Sequence, residues 1–465
     1  MSLHPPPVEA YVREHAGRTL AELQDLLRIP SISTLPAHRG DMDRALDFLE
    51  ARLREAGCEH IERLTSPKHP NGMPVLYADW LHAKDAPTVL FYGHYDVQPP
   101  DPLEEWQTPP FEPTVREGNI YARGAADDKG QMYAHIKGVE ALRAATGTLP
   151  VNVRFLIEGE EEVGGETVEH VVRQHRDKLA CDCVVVSDTA MFAPGLPSLD
   201  VGLRGMVYAE VEMRGAERDL HSGLYGGVAP NPFEALARVI TGLKGGDGHI
   251  LIPGFYDRVV TPSAEEQAAW KRLPFQEEQY CRDEVRARAL TGEAGYSVFE
   301  RTWSRPTLDV HGMPGGFTGP GSKTVIPARA SAKISMRLVP NQQPAEIYAS
   351  FAEAVRKLTP PGFASSTHLW NTAEPIVVDT SNRYVQAGVA ALKATFGGEP
   401  VFVRSGGSVP VVALFTTVLK APVVMMGFGL PDDGLHSPNE KFAIENFYGG
   451  TRAVADFLQR LSPKI

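Results

Sequence analysis

The residues of this sequence that could do chemistry are histidines and carboxylates that follow short apolar runs or precede a helical pattern. The apolar runs predict buried strands, so the polar residues after them would lie at strand ends. In chain order, the candidates are His94, Asp96, Asp127, Glu161, Glu162, Asp188 and His436. Because ligands bind beyond the carboxyl ends of strands in a parallel α/β sheet, we expect these side chains to converge on one rim.

The donor atoms of these candidates indicate metal binding, since imidazole and carboxylate without a thiolate suit Zn²⁺, Mn²⁺ or Co²⁺. Several carboxylates in one crevice repel one another unless cations neutralise them. Two metal ions about 3.5–4 Å apart, bridged by one carboxylate, would supply that charge and hold a hydrolytic water. We therefore expect two divalent ions, with Zn²⁺ as the first choice and Mn²⁺ or Co²⁺ as alternatives.

Each candidate also has an ordinary structural explanation, and for single residues these alternatives stay open. His94 could be a strand-end histidine, Asp96 a turn residue and Asp127 the N-cap of the helix that follows it. The run Glu160–Glu162 could be a solvated charge cluster, and Asp188 could mark the entry to a helix. It is the presence of all of them at one predicted rim that favours a functional site.

The elements that must position these residues form two kinds of pattern. Over residues 1–205 and 377–465, short buried strands alternate with helices, which predicts an α/β domain with a mainly parallel sheet and helices on both faces. Residues 206–376 instead show strands with alternating apolar and polar positions and a charged helical stretch at Ala264–Ala289. We therefore expect a catalytic domain interrupted by an inserted α+β lid, or dimerisation, domain.

Composition excludes several classes of partner. The 465 residues carry a net charge of −12, which argues against binding to nucleic acid or to an anionic membrane. No apolar run approaches the roughly 20 residues that span a bilayer, and Met1–Pro7 lacks the regions of a secretory signal. Four cysteines are too few for a disulfide framework in a chain of this length. We expect a cytoplasmic protein that binds neither nucleic acid nor membrane.

The sequence resembles the metallopeptidase family that includes aminoacylase, carboxypeptidase G, succinyl-diaminopimelate desuccinylase and the carnosinase and cytosolic non-specific dipeptidases. It is most similar to the dipeptidase group, and the resemblance covers nearly the whole chain. The motifs that carry it are Gly93–Pro99, Arg123–Gly130, Glu158–Glu162, Asp219–Gly223, Lys323–Pro327 and Asp432–Glu440.

The resemblance implies a set of metal ligands and a general base. By family likeness, Asp127 bridges both ions, His94 and Asp188 complete one site, and Glu162 and His436 complete the other. The resemblance also implies that Glu161 is the general base and that Asp96 is the carboxylate that fixes the tautomer of His94. It further implies a cis peptide bond at Asp127–Asp128.

The inserted domain resembles the family's lid. The likeness implies that His221 reaches the active site of a partner subunit in a homodimer and stabilises the oxyanion. It implies that Arg337 binds the carboxylate of the substrate and that Thr324 and Ser408 contact the substrate. From the residues alone, His221 could be a surface histidine, Arg337 an exposed arginine, and the other two plain turn residues.

The implied function is hydrolysis of the amide bond of dipeptides or short peptides with a free terminal carboxylate, by a water that two metal ions activate. The alternatives are an N-acyl amino acid deacylase of the same family and a non-catalytic metal-binding or peptide-binding relative. Two positions depart from the dipeptidase pattern: Ser405 replaces a usual glutamate, and Gly165 replaces a frequent serine. Gly316–Thr324 is similar to a phosphate loop, but Ser322 interrupts that motif, so no nucleotide site is expected.

Overall fold

The computed structural model describes residues 6–407 and 409–463, which form two compact units. The first unit comprises Met1–Val201, Val378–Val403 and Pro410–Ile465, and the second comprises Gly202–Val377 and Arg404–Val409. The segment Arg404–Val409 thus belongs to the second unit, although its chain neighbours on both sides belong to the first. The roles of catalytic domain and lid stay predictions.

The strands range from two to ten residues in length. In chain order they are β1 (Glu59–Leu64), β2 (Val75–Trp80), β3 (Thr88–His94), β4 (Thr114–Arg116), β5 (Asn119–Tyr121), β6 (Asn152–Glu158), β7 (Cys183–Val186), β8 (Ser198–Leu203), β9 (Gly205–Arg214), β10 (Leu220–His221), β11 (Thr307–Gly312), β12 (Val325–Ile326), β13 (Arg329–Leu338), β14 (Ala364–Ala373), β15 (Ile376–Val377), β16 (Val401–Ser405), β17 (Val423–Met425) and β18 (Lys441–Ala443).

The α-helices precede, separate and follow these strands. In chain order they are α1 (Pro6–Glu14), α2 (Ala16–Leu27), α3 (Arg39–Glu55), α4 (Lys129–Thr146), α5 (Glu166–Gln174), α6 (Ser222–Tyr225), α7 (Pro232–Leu243), α8 (Ala264–Lys271), α9 (Glu277–Gln279), α10 (Pro344–Leu358), α11 (Arg383–Phe396), α12 (Pro410–Leu414) and α13 (Ile444–Arg460). Among the described residues, no helix is long and apolar enough to cross a membrane.

The sheet of the first unit is parallel at its centre. Its strand order is β1-β2-β6-β3-β7-β17-β8, in which β6, β3, β7 and β17 run parallel and the flanking pairs are antiparallel. Runs such as Val89–Tyr92 and Val184–Val186 are buried throughout, as expected for strands that are covered on both faces. The expected α/β class with a mainly parallel sheet is confirmed.

Helix α4, which follows the loop of Asp127, is buried from Lys129 to Leu142 and packs against α13. The close packing depends on glycine, because a Cβ at Gly138 would lie 2.6 Å from Val454 Cβ. The helix ends at Thr146 and is capped by Gly147, which adopts the left-handed conformation with a φ of 80°. This packing fixes the position of the loop that precedes α4.

The second unit contains a four-stranded antiparallel sheet in the order β11-β13-β9-β14. Alternate residues of β9 are fully buried, which is the pattern expected of a strand with one face in a core. Side chains of α7 and α10, including Leu236 and Phe351, pack on the buried face. The predicted alternation thus corresponds to a real sheet.

We expected the charged stretch Ala264–Ala289 to be helical. The structure shows a helix over only its first part. Ser263 caps the start of helix α8 in a capping box with Glu266, and the helix ends at Lys271. Pro274 follows closely, and the residue before a proline is disfavoured in helical conformation. Proline therefore ends this helix early, and only short helical turns follow it.

Candidate active site

The parallel strands of the first sheet deliver the candidate residues to one edge. Strand β3 ends at His94, β6 leads into a single 3₁₀ turn at Glu161–Val163, and Asp188 lies two residues after β7. His436 lies on the loop between β17 and β18. Since carboxyl ends of parallel strands lie at the same edge, their polar side chains meet there, as the sequence predicted.

Both ring nitrogens of His94 face carboxylate residues, and the ring is fully buried. Its Nε2 lies 3.0 Å from Asp127 Oδ1, and its Nδ1 lies 3.1 Å from the carbonyl oxygen of Asp96 and 3.3 Å from Oδ1 of the same residue. Asp96 Oδ2 accepts hydrogen bonds from the Ser33 hydroxyl at 2.7 Å and the Glu162 backbone N–H at 3.2 Å. Asp96 is therefore placed to orient the ring of His94.

Asp127 lies between two histidines from distant parts of the chain. Its Oδ2 lies 2.9 Å from Nε2 of His436, opposite the contact of Oδ1 with His94. The peptide bond Asp127–Asp128 is cis, which confirms that expectation. Helix α4 begins at Lys129 with Asp128 at its N-cap position, so the alternative that Asp127 is the N-cap is wrong.

Glu162 contacts the same ring nitrogen of His436 that Asp127 contacts. Its Oε2 lies 3.4 Å from Nε2 of the histidine and accepts a hydrogen bond from the Gln98 amide at 2.8 Å. The backbone of His436 is in the left-handed region, with a φ of 60°. An exposed histidine on a loop is thereby directed back towards the buried carboxylates.

Two groups of potential ligand atoms share one residue. Within each group, the ligand atoms lie within 4.8 Å of one another; the groups are His94, Asp127 and Asp188, and Asp127, Glu162 and His436. Asp127 belongs to both groups because its two oxygens face different histidines. This arrangement can hold two cations with one shared carboxylate.

The carboxylates at this edge repel one another, because too few positive charges lie near them. Burial, together with the charge of Asp127, raises the pKa of Asp188 to about 7, and burial and Asp188 raise the pKa of Glu161 to about 9. Hydrogen bonds to Asp127 and Glu162 raise the pKa of His436 to about 10. Burial opposes ionisation of Asp127, but hydrogen bonds from the two histidines hold its pKa below the ordinary value. Divalent cations would relieve this repulsion, so the residues present fit a metal pair.

The remaining predicted residues lie in the second unit. His221 is exposed on β10 and accepts a hydrogen bond at Nδ1 from the Gly223 backbone N–H at 2.9 Å, while β10 pairs with β12 directly after Thr324. Arg337 lies on β13 opposite Met206 of β9. Ser408 lies outside the described residues. His221 pairs with Val325, and the carbonyl oxygen of Thr324 accepts a hydrogen bond from the Ser222 backbone N–H at 3.0 Å, whereas Arg337 lies on a separate sheet.

Two buried polar residues that support the site received no role from the sequence. The amide oxygen of Gln131 accepts hydrogen bonds from the backbone N–H groups of Phe428 at 2.7 Å and Gly429 at 3.2 Å, after β17. Glu440 is fully buried beside the loop of Asp127. The one available signal for Glu440 was its position at the end of the motif that contains His436.

A parallel α/β sheet with imidazole and carboxylate side chains at its carboxyl edge is an arrangement that metal-dependent hydrolases use. The model of the peptidase family M20/M25/M40 matches residues 90–460 of the chain. The chain is 31% identical to the Beta-Ala-His dipeptidase of Homo sapiens, over 98% of this chain and 94% of that protein. It is 31% identical to the Cys-Gly metallodipeptidase DUG1 of Saccharomyces cerevisiae, over 95% of each protein.

Solved structures that are similar to this chain include a member of the same family. The structure of the metallo-carboxypeptidase Sso-CP2 from Sulfolobus solfataricus is 32% identical, with a TM-score of 0.84 over 96% of this chain and 99% of that one. The chain therefore belongs to the peptidase family M20/M25/M40, which confirms the resemblance found in its motifs.

Proposed function

We propose that this protein is a metal-dependent dipeptidase that hydrolyses the amide bond of dipeptides or short peptides with a free terminal carboxylate. The observation that carries the proposal is the position of Asp127, whose two oxygens face His94 and His436 at 3.0 and 2.9 Å. Relatives over the whole chain are named dipeptidases for two different dipeptides, which supports the substrate class.

The proposed ligands are those of the two groups that share Asp127. When bound, two divalent ions, with Zn²⁺ proposed first, supply Lewis acidity and lower the pKa of a water. Glu161 is proposed to accept the proton of the attacking water and to return it to the leaving amine. Asp96 holds the ring of His94 so that its Nε2 faces the cation site.

We propose that the second unit is a lid that binds the substrate. Dipeptidases and carboxypeptidases, the activities in the names of the relatives, both cleave next to a free carboxylate. The guanidinium of Arg337 suits such a carboxylate because its fork can donate to both oxygens. Thr324 and Ser408 are proposed as further substrate contacts, and His221 is proposed to stabilise the oxyanion from the partner subunit of a homodimer.

We further propose that the protein acts in the cytoplasm. Its four cysteines are free, with no disulfide among the described residues. Free thiols of this kind suit a reducing compartment. Cell fractionation that places the protein with secreted or membrane fractions would contradict this location.

The substrate proposal is tested with a panel of dipeptides, tripeptides and N-acyl amino acids, measured by amine release from the metal-loaded protein. We expect turnover of dipeptides and weak or absent turnover of acyl amino acids. Turnover confined to acyl amino acids would move the protein to a deacylase function. Metal binding without turnover of any substrate would instead indicate a non-catalytic relative.

A further inference from the structure

Glu440 is a fully buried carboxylate that joins two loops of the first unit. It lies four residues after His436, and its oxygens accept hydrogen bonds from the loop that carries Asp127. Oε1 accepts from the backbone N–H groups of Ala126 at 3.0 Å and Asp127 at 3.1 Å. Oε2 accepts from the backbone N–H of Gly124 at 2.9 Å. One side chain therefore connects the segments of two proposed ligands.

Arg123 completes this arrangement and reaches a third loop. Its Nη1 donates to Glu440 Oε2 at 2.8 Å, and its Nη2 donates to the carbonyl oxygen of Pro99 at 3.3 Å. The guanidinium is buried, and its Cζ lies 5.5 Å from the centre of the Trp106 ring. Pro99 lies three residues after Asp96, so the pair also contacts the loop behind His94.

We infer that Glu440 and Arg123 are a positioning pair that holds the loops of Asp127 and His436 at the separation that the metal ions require. This inference rests on the proposed metal site but not on the identity of the substrate. A carboxylate is needed, because four donors converge on its two oxygens. A glutamine would direct its NH₂ group at two of these donors, and a buried donor without an acceptor is costly.

The test is a Zn²⁺ titration of stripped Glu440→Gln protein against a chromophoric chelator. We expect a folded protein whose affinity for Zn²⁺ is about 10-fold to 100-fold weaker, as when groups that orient metal ligands are changed. Glu140→Gln is the matched control: Glu140 is also a buried carboxylate and accepts from Lys137 Nζ at 2.6 Å and the Tyr11 hydroxyl at 2.9 Å. This control should lose thermal stability and keep the wild-type affinity for Zn²⁺.

Wild-type affinity for Zn²⁺ in folded Glu440→Gln protein would overturn the inference, whatever happens to stability. If that variant does not fold, Arg123→Lys decides, because lysine keeps the charge but has one nitrogen in place of the two that reach Glu440 and Pro99. We expect weaker Zn²⁺ binding there as well, and unchanged affinity would again overturn the inference. The titration needs no substrate, so a wild-type protein that binds two ions without cleaving dipeptides would contradict the proposed function alone.

Discussion

At the scale of single residues, the proposed chemistry requires neighbouring carboxylates to take different roles, one as a shared metal ligand and another as the general base. Asp127 is held ionised by two histidines, whereas burial and the charge of Asp188 raise the pKa of Glu161 to about 9. A carboxylate that is kept ionised suits a shared ligand. A general base must be ionised before it can accept a proton, and bound cations would lower the pKa of Glu161 from this raised value.

Substitution of Glu161 by glutamine tests the general base. Glutamine keeps the size of the side chain but cannot take a proton from water, so we expect kcat for a dipeptide to fall by about 10²-fold to 10⁴-fold. Both metal ions should remain bound. Glu166→Gln, an exposed position on the adjacent helix α5, is the control and should retain wild-type kcat. Near-full activity of Glu161→Gln with both ions bound would refute the assignment.

Substitution of Arg337 tests recognition of the substrate carboxylate. Loss of a charge-assisted bond costs about 1.5–3 kcal/mol, so we expect Arg337→Gln to raise KM by about 10-fold to 100-fold. The change in kcat should be smaller. Steady-state kinetics with Arg329→Gln, an exposed arginine on the same strand, provides the comparison. An equal rise in KM in both variants would show a general effect of charge instead.

At the scale of elements, the sequence predicted the strands better than the contacts between loops. Apolar runs such as Val89–Tyr92 identify buried strands, and the residue after each run is then placed by the parallel geometry. The role of Glu440 could not be predicted, because its contacts join residues more than 310 positions apart. The early end of α8, by contrast, could have been predicted from Pro274 within the stretch Ala264–Ala289.

Helix α4 gives the first unit a dependence on pH through His135. Burial lowers the pKa of His135 to about 3, so the folded state binds its proton less readily than the unfolded state does. The stability therefore decreases as the pH falls from about 6.5 towards 3, by about 2 kcal/mol between pH 7 and pH 5. Denaturant unfolding at both pH values should show a smaller loss for His135→Gln. An equal loss in both proteins would exclude this histidine as the cause.

At the scale of the whole molecule, residues with proposed roles lie in each of the two units. The two groups of potential metal ligands lie in the first unit, whereas His221 and Arg337 lie in the second. A histidine that acts from a partner subunit would explain why an exposed side chain on a two-residue strand could have a catalytic role.

Mixing two inactive variants tests the action of His221 across subunits. In a hybrid dimer of His221→Ala and Glu161→Gln, one site combines the intact Glu161 of one subunit with the intact His221 of the other. We therefore expect activity to reappear on mixing, up to about a quarter of the wild-type value if subunits exchange at random. An active monomer by size measurement, or no recovery in a proven hybrid, would contradict the homodimer model.

The most direct test of the metal-dependent dipeptidase is amine release from a dipeptide by protein that is stripped with a chelator and then titrated with Zn²⁺. Mn²⁺ and Co²⁺ should be titrated in parallel, since the same ligands accept them. We predict that stripping abolishes turnover and that one of the ions restores it as two equivalents bind. Turnover that survives complete removal of metal, or a fully loaded protein that cleaves no dipeptide, would contradict the proposed function.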